Sequence, residues 1–415
     1  MTIAVVFVAP HASYRIAPYV DAARRLGAVP VIVSQTRLAP VGQDVEGVFV
    51  DFADSAQVLE RIVGVGRTHR IAAVIGTDDA TSVIAARAAQ RLGLPHNSPG
   101  SVDCTRRKDK ARMQQQSAGI PVPWFRLLDS SDGADPDIET ISFPCVVKPV
   151  SLSASRGVIR ANNRAELLQA MARILSILKS ETLPIEEKSL LLIEQYLPGR
   201  EIAFEGLLTE GRLQMLAIFD KPDPMEGPYF EETYYISPSS LSKSVQQSVC
   251  DTVAAACRAY GLHHGPVHAE CRVNDDGVWM LELAARTIGG LCSRLFRYGT
   301  GTDLESTVIA HAIGQPIDVR LQQQAVGVLM IPIAEAGILR RVEGVSEAMR
   351  VRFIEEVIID IREGYRLVPL PEASSYLGFI FAMAPDAVMV EAALRQAHAC
   401  LNVVVAPELP VSGAG

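Results

Sequence analysis

The segment His268–Arg286, HAECRVNDDGVWMLELAAR, gathers more groups capable of chemistry than any other stretch of comparable length in the 415-residue chain. Asn274-Asp275-Asp276-Gly277 has the composition of a tight turn, so the flanking residues are expected to form a β-hairpin over Val267–Ala284. Pairing symmetric about Asp276 sets Glu270 opposite Glu282, on the face that also carries His268 and Ala284. Like charges directly opposed destabilise a sheet, and these two stand among the apolar Val267, Met280 and Leu283. A cation between them removes the conflict. An all-oxygen donor set with few protein groups suits Mg2+ holding substrate phosphates, with Mn2+ as a substitute. The ordinary alternative is two glutamates on a solvated sheet face. Arg286, four residues beyond Glu282, fits a positive partner for phosphate or a developing oxyanion, against the alternative of a surface arginine. His268 is either a base for an amine proton or a packed hairpin histidine.

A second group lies upstream. Lys148 ends the apolar run FPCVV and is followed by Pro149, so its ammonium either reaches water or meets an anion. The residues after it, Ser151-Leu152-Ser153-Ala154-Ser155-Arg156-Gly157, are nearly all small, which lets backbone N–H groups approach phosphate and adds serine hydroxyl donors. An ordinary Ser-rich loop looks the same, and no G-x-x-x-x-G-K-[ST] sequence occurs. In LLLIEQYLPGREIAFEG an apolar strand ends at Glu194, and the backbone of Gln195–Leu197 beside that carboxylate could read the edge of adenine. Glu201 could hold a ribose hydroxyl pair; the polar face of an amphipathic strand is the alternative for Glu201 and Glu205. Arg106, Arg107, Lys108, Lys110 and Arg112 make a basic run that a solvated helix face would also explain.

These groups need a scaffold, and the pattern provides one. Apolar strands at Ile3–Ala9, Val29–Ser34 and Ala72–Gly76 alternate with helices at Ala17–Leu26 and Ala80–Leu92, which predicts a parallel sheet covered on both faces. Functional loops then sit at the carboxyl ends of its strands, Ala9-Pro10-His11 and Gly76-Thr77-Asp78-Asp79. A helix is expected over Val102–Ser117, stopped by Gly119 and the Pro121/Pro123 pair. From Phe143 the pattern is mixed: strands at Phe143–Pro149, Leu190–Glu194 and Glu201–Leu208, a helix at Ala165–Lys179, and a helix at Lys243–Tyr260. The loop Lys221–Ser240, holding Glu232, is long enough to suggest a role on the substrate side. Strands at Val326–Ile331, Val357–Ile361 and Gly378–Met383 and a helix at Ala387–Cys400 suggest a small α+β tail. The expected division is residues 1–100, 101–324 with a lid at about 121–197, and 325–415.

Composition narrows the classes. Hydrophobic residues at 48% and charged residues at 21% describe a globular chain, and a net charge of −8 argues against broad binding of nucleic acid or anionic membrane. The seven cysteines form no C-x-x-C pair, and Cys250 and Cys257 share one helix face as core residues, which fits a reducing cytoplasm. The short run at the N-terminus lacks a basic lead-in and reads as a strand, and no apolar stretch is long enough to span a bilayer.

In order, Lys110, Lys148, the small-residue loop, Glu194 to Glu201, Glu270, Glu282 and Arg286 resemble the ATP-grasp superfamily, over about residues 70 to 320. GTDDA at 76–80, DKARMQQQSAGIPVP at 109–123, SRGV at 155–158 and ELAARTIGG at 282–290 are similar to its L-amino-acid ligase group. The resemblance implies an α/β and α+β ATP-grasp fold with an N-terminal parallel-sheet domain and a small C-terminal α+β domain. It implies an ADP-forming enzyme that joins a carboxylate to an amine through an acyl-phosphate. Lys110 and Lys148 would bind the phosphates of ATP, with Ser151, Ser153, Ser155 and Gly157 in the loop closing over them. Glu194, the backbone of Gln195 and Leu197, and Glu201 would hold adenosine. Glu270 and Glu282 would bind Mg2+, and Arg286 would stabilise the acyl-phosphate. Many superfamily members carry asparagine where this chain has Ala284, which leaves the number of magnesium ions open. His268, Glu232, Gly289 and Gly290 are candidates on the substrate side, the glycine pair leaving a roomy pocket. The implied partners are a small-molecule carboxylate and amine, and a homodimer is compatible. A carboxylase or other ligase on the same scaffold, and a nucleotide-binding regulator without turnover, are the competing readings.

Overall fold

The computed structural model describes residues 2–408 apart from 12, 37–44, 133–137, 139, 318–323 and 374. Each of the expected units 1–100, 101–324 and 325–415, and the lid at about 121–197, therefore includes stretches outside the described residues. A four-stranded parallel sheet opens the chain, in the order Glu46–Phe49, Val29–Ser34, Ile3–Val8, Arg70–Gly76. Along the strand Ile3–Val8, Val5 and Phe7 pack with Tyr19, Ala22 and Ala23 of the helix Ile16–Arg25. Ala4, Val6 and Val8 pack on the other side with Val58, Ile62, Ala85 and Ala88. Both faces are therefore buried, as unbroken apolar strands require. Glu46–Phe49 and the helix Ser55–Val65 are additions to the sequence reading; the strand is short, largely exposed and without an apolar run.

The single helix expected over Val102–Ser117 is two helices, Pro99–Arg106 and Lys108–Ser117. Arg107 between them is extended, with φ −109° and ψ 104°. Its guanidinium donates to Asp109 at 2.9 and 2.7 Å and to Glu187 at 3.3 Å, and these contacts hold the break open.

The lid is an antiparallel sheet, Phe125–Asp129, Leu190–Gln195, Cys145–Pro149, Ile159–Ala161. It packs on the helix Arg164–Ser180 around Val147, Ile174, Leu178 and Ile193. The Asn163 side chain accepts from the Glu166 N–H and Glu166 accepts from the Asn162 N–H, a reciprocal cap on that helix.

An eight-stranded sheet forms the body, in the order Gly277–Ala284, Gly265–Asn274, Arg200–Thr209, Arg212–Asp220, Tyr234–Ser237, Ala325–Ile331, Gly378–Ala384, Ile354–Ile359. Tyr234–Ser237 lies within the stretch expected to be loop. Its alternation sends Tyr235 into one core and Tyr234 and Ile236 into another. One continuous sheet thus crosses residue 325, and the tail adds a small sheet of Arg366–Leu367, Gly337–Glu343 and Asn402–Ala406. The central strand Arg200–Thr209 is buried on both sides: Ala203 and Leu207 face one core, Ile202, Phe204 and Leu208 the other. Glu201 and Glu205 share the face of Ala203, and that face is the floor of the cleft. Cys257 is buried and Cys250 half-buried on the helix Lys243–Tyr260, and the seven cysteines are free thiols. Among the described residues no helix is long and apolar enough to cross a membrane.

Candidate active site

The hairpin pairs Glu270 with Glu282 and His268 with Ala284, the register expected from the turn. Nearer the turn the pairing slips by one residue, Cys271 facing Met280, and the extra residue is Leu281. Its carbonyl accepts from Arg112 at 3.0 Å. On the other side of the same strand, His268 faces Glu205 and Arg272 faces Glu201 on Arg200–Thr209. The floor is therefore two cross-strand pairs of opposite charge flanking one pair of like charge.

That like-charged pair looks into a cavity of about 710 Å3 between the parallel-sheet unit, the lid, the body and the tail. Glu270 and Glu282 are 23% and 32% exposed, into the cleft. Their cationic neighbours stand beyond hydrogen-bond reach: Lys221 and His268 at 3.7 and 3.6 Å from Glu270, Lys108 at 3.6 Å from Glu282.

At the lid end, Lys148 meets Glu194 at 2.5 Å, and Arg112 meets the same carboxylate at 2.6 Å. Burial would raise the Glu194 carboxyl, but Arg112 and Lys148 outweigh it and hold the pKa at about 2. Burial lowers the Lys148 ammonium, and Glu194 opposes that shift. Glu194 thus bonds two cations and positions Lys148 at the edge of the cleft. The Gln195 N–H is also engaged, with Trp124 O at 2.8 Å, and Leu197 O accepts from Arg272 at 2.9 Å. Glu201 bonds Lys221 at 2.8 Å and Arg272 at 3.0 Å.

The phosphate-binding assignment of Lys110 is corrected. Its ammonium pairs with Asp103 and is 44% exposed, away from the cleft. Lys108 lines the cleft instead and donates to Leu152 O of the lid loop. The helix restarts at Lys108, so Lys108 and Arg112, four apart, share the inward face and Lys110 turns outward. The loop assignment divides as well. Ser153, Ala154 and Ser155 line the cleft, with Ala154 and Ser155 at φ 53° and 55°. Ser151 is buried and donates to Glu187, while the Gly157 N–H donates to Pro371 O at 3.0 Å. These two anchor the loop and do not face the cavity.

Lys221 was not singled out as a site residue from the sequence, entering only as the first residue of the suspected substrate-side loop. It is buried, bonds Glu201 and Glu232, and with them and Glu270 makes a compact cluster. Glu201, Glu232 and Glu270 present oxygens close enough to chelate a metal. The Lys221 ammonium already supplies the cation there, and the three carboxylates raise its pKa against the effect of burial. Glu232 also accepts from the Tyr235 hydroxyl at 2.8 Å, and burial pushes its carboxyl up. Lys221 directly follows the strand Arg212–Asp220, the position that singled out Lys148, and the same reasoning would have found it.

Burial would lower the pKa of His268, but Glu205 at 2.5 Å, reinforced by Glu270, raises it to about 9, which favours the imidazolium. Arg286 lines the cleft and donates to both oxygens of Asp79, at 2.8 and 2.7 Å, tying the hairpin to the parallel-sheet unit. Gly289 and Gly290 line the cleft too. A Cβ on Gly289 would stand 3.7 Å from the Arg15 guanidinium, and one on Gly290, at φ +59°, would stand 3.3 Å from the Phe379 ring.

Known families match this layout in the same order. Residues 20–96 match the ATP-grasp N-terminal domain, 141–294 the ATP-grasp domain, and 329–406 the L-amino acid ligase C-terminal domain 2. The L-amino acid ligase of Bacillus licheniformis superposes with a TM-score of 0.81 at 24% identity, over 97% of this chain and 99% of that one. An uncharacterised protein of Sinorhizobium fredii, y4rH, is 23% identical over 94% of this chain and 80% of its own length. The alanine–anticapsin ligase of Bacillus subtilis is 25% identical over 56% of this chain, which spans about half of that relative, 52%. The chain thus carries an ATP-grasp N-terminal domain, an ATP-grasp domain and an L-amino acid ligase C-terminal domain 2 in that order, on an ATP-grasp fold shared with the Bacillus licheniformis ligase.

Proposed function

We propose that this protein activates a carboxylic acid, an amino acid or other small acid, with ATP and joins it to an amine, giving a dipeptide or amide, ADP and phosphate. The observation that carries this is the opposed Glu270–Glu282 pair, whose nearest cations stand at 3.6 to 3.7 Å, beyond hydrogen-bond reach, in one cleft with Lys148 and Lys108. An all-oxygen pair of this kind fits a hard divalent cation. Glu270 and Glu282 would hold Mg2+, which when bound neutralises charge on the nucleotide phosphates.

The chain's own groups supply the rest. Lys148, held in place by Glu194, and Lys108, on the neighbouring wall, face the phosphates from two sides. The substrate carboxylate attacks the γ-phosphorus and ADP leaves. The amine then attacks the acyl carbon, phosphate leaves, and the amine gives up its proton. Arg286 balances the negative charge that develops in both steps, in a cleft bridged by the lid-loop contacts of Lys108 with Leu152 and of Gly157 with Pro371. No protein nucleophile is needed, and His268, paired with Glu205, supplies positive charge to the floor of the cleft. The amine proton leaves with phosphate or solvent.

The test is ADP formation across a panel of amino acids and small acids offered with amines, with mass analysis of the product. Glu282→Ala and Arg286→Ala are expected to abolish turnover while the circular dichroism spectrum stays native. Nucleotide binding without turnover under every combination would favour a regulator instead.

A further inference from the structure

The wall that the parallel-sheet unit gives to the cleft carries two charged groups with no part in the steps above. Arg15, in the loop after the first strand, is buried to 9% exposure and lines the cavity. Its Nη1 donates to Thr287 Oγ1 at 3.0 Å and Thr287 O at 3.4 Å. Among the described residues it forms no direct ion pair with a carboxylate. Asp78 lines the same cavity and accepts from the Thr77 and Thr81 hydroxyls at 2.9 and 3.3 Å. It too has no ion-pair partner among the described residues, whereas its neighbour Asp79 is neutralised by Arg286.

Asp78 stands at the N-cap of the helix Asp79–Leu92 and makes no cap hydrogen bond, although Asp54, Asp303 and Asp386 cap their helices. Its carboxylate is turned to the cleft. Burial raises its carboxyl, against the opposing effects of the Thr77 hydroxyl and of Arg15 across the same wall. A buried guanidinium and a half-buried carboxylate, each supported by hydroxyls or carbonyls and each open to one cavity, are costly unless a ligand completes them. Guanidinium recognises carboxylate and carboxylate recognises ammonium. Leu291, Met330 and Phe379 line the same cavity with apolar surface, and Gly289 keeps the space beside Arg15 unfilled.

We propose that Arg15 and Asp78 read the unreacted ends of two α-amino acids: Arg15 the free carboxylate of the amine substrate, Asp78 the free ammonium of the acyl donor. The product is then a dipeptide with both termini unmodified. The inference rests on the ligase reading and specifies its substrates. It also gives Arg15 a second effect, because a carboxylate held there is kept from the phosphates and is not itself activated.

The experiment compares kcat/KM for an amino-acid acceptor and its carboxamide, and for an amino-acid donor and its des-amino analogue. The enzymes are the wild type, Arg15→Met and Asp78→Asn. A charge-assisted hydrogen bond of this kind corresponds to a preference of about 10- to 100-fold. Arg15→Met is expected to erase the preference for acceptor carboxylate and keep the preference for donor ammonium; Asp78→Asn is expected to do the reverse. Equal losses on the charged substrate and its neutral analogue would overturn the assignment, since a structural residue moves both alike. Simple amines used as well as amino acids by the wild type would also overturn it. Absence of ADP formation with every pair would sink the ligase reading itself. The subsite is then judged by calorimetric titration with amino acids, where equal affinity for wild type and Arg15→Met refutes it.

Discussion

Replacing Glu194 with Gln isolates the electrostatics of the lid end. The side chain keeps its shape and loses its charge, while Arg112 and Lys148 stay buried against it. In the folded protein the carboxyl titrates at about 2, against 4.5 for an unperturbed glutamate. That difference corresponds to about 3 kcal/mol of stability at neutral pH. Removal of one partner from a buried ion pair costs about 3–5 kcal/mol by general experience, so two routes reach a similar figure. The folded pKa is depressed, so this contribution is complete above pH 4.5 and is lost as pH falls from there through about 2. Urea unfolding of wild type and Glu194→Gln is expected to differ by about 3 kcal/mol at pH 7 and by about half that at pH 3. Saturating ATP should recover part of the loss, because phosphate oxygens replace the missing counter-charge. A difference below about 1 kcal/mol at pH 7, or one indifferent to pH, would refute the argument that these three groups act as one electrostatic unit.

Lys108→Ala should raise the nucleotide dissociation constant by about tenfold or more, whereas Lys110→Ala should change it by less than about twofold, read by calorimetry. The reverse order would restore the assignment made from sequence. His268 should keep its imidazolium signals in NMR spectra up to about pH 8, and a midpoint near 6.5 would remove it as a fixed cation. Its folded pKa is raised, so the stability it contributes is complete below pH 6.5 and is lost as pH climbs through about 9. Gly290→Ala forces a Cβ at φ +59° toward Phe379 and should cost about 1 kcal/mol or more in urea unfolding, with a raised KM for the amino acid.

The hairpin was legible because four turn residues fix a register, and a register fixes which side chains face each other. Its bulge at Leu281 was not, since one extra residue near the turn leaves the apolar pattern intact. The basic helix misled for a different reason. Its periodicity runs unbroken through Arg107, and the break depends on Glu187, 80 residues further along the chain. No local signal reports a contact of that range, so the inward lysine was assigned two positions late. Lys148 could be found at the end of its strand; its commitment to Glu194 could not, because the partner lies on another strand. Arg15 escaped notice, and Asp78 was placed only as part of a strand-end loop, because such a loop's position can be predicted and the orientation of its side chains cannot.

The shared sheet also sets limits on protein engineering. Exchanging the last ninety or so residues for those of a relative, a tempting way to alter substrate range, would cut between Tyr234–Ser237 and its neighbour Ala325–Ile331. The remaining half would present Tyr234–Ser237 as a raw hydrogen-bonding edge, with Tyr234 and Ile236 stripped of their packing. A recombinant made at that seam is expected to aggregate unless the incoming strand reproduces the pairing of Tyr235 with Val328 and Ile236 with Gly327.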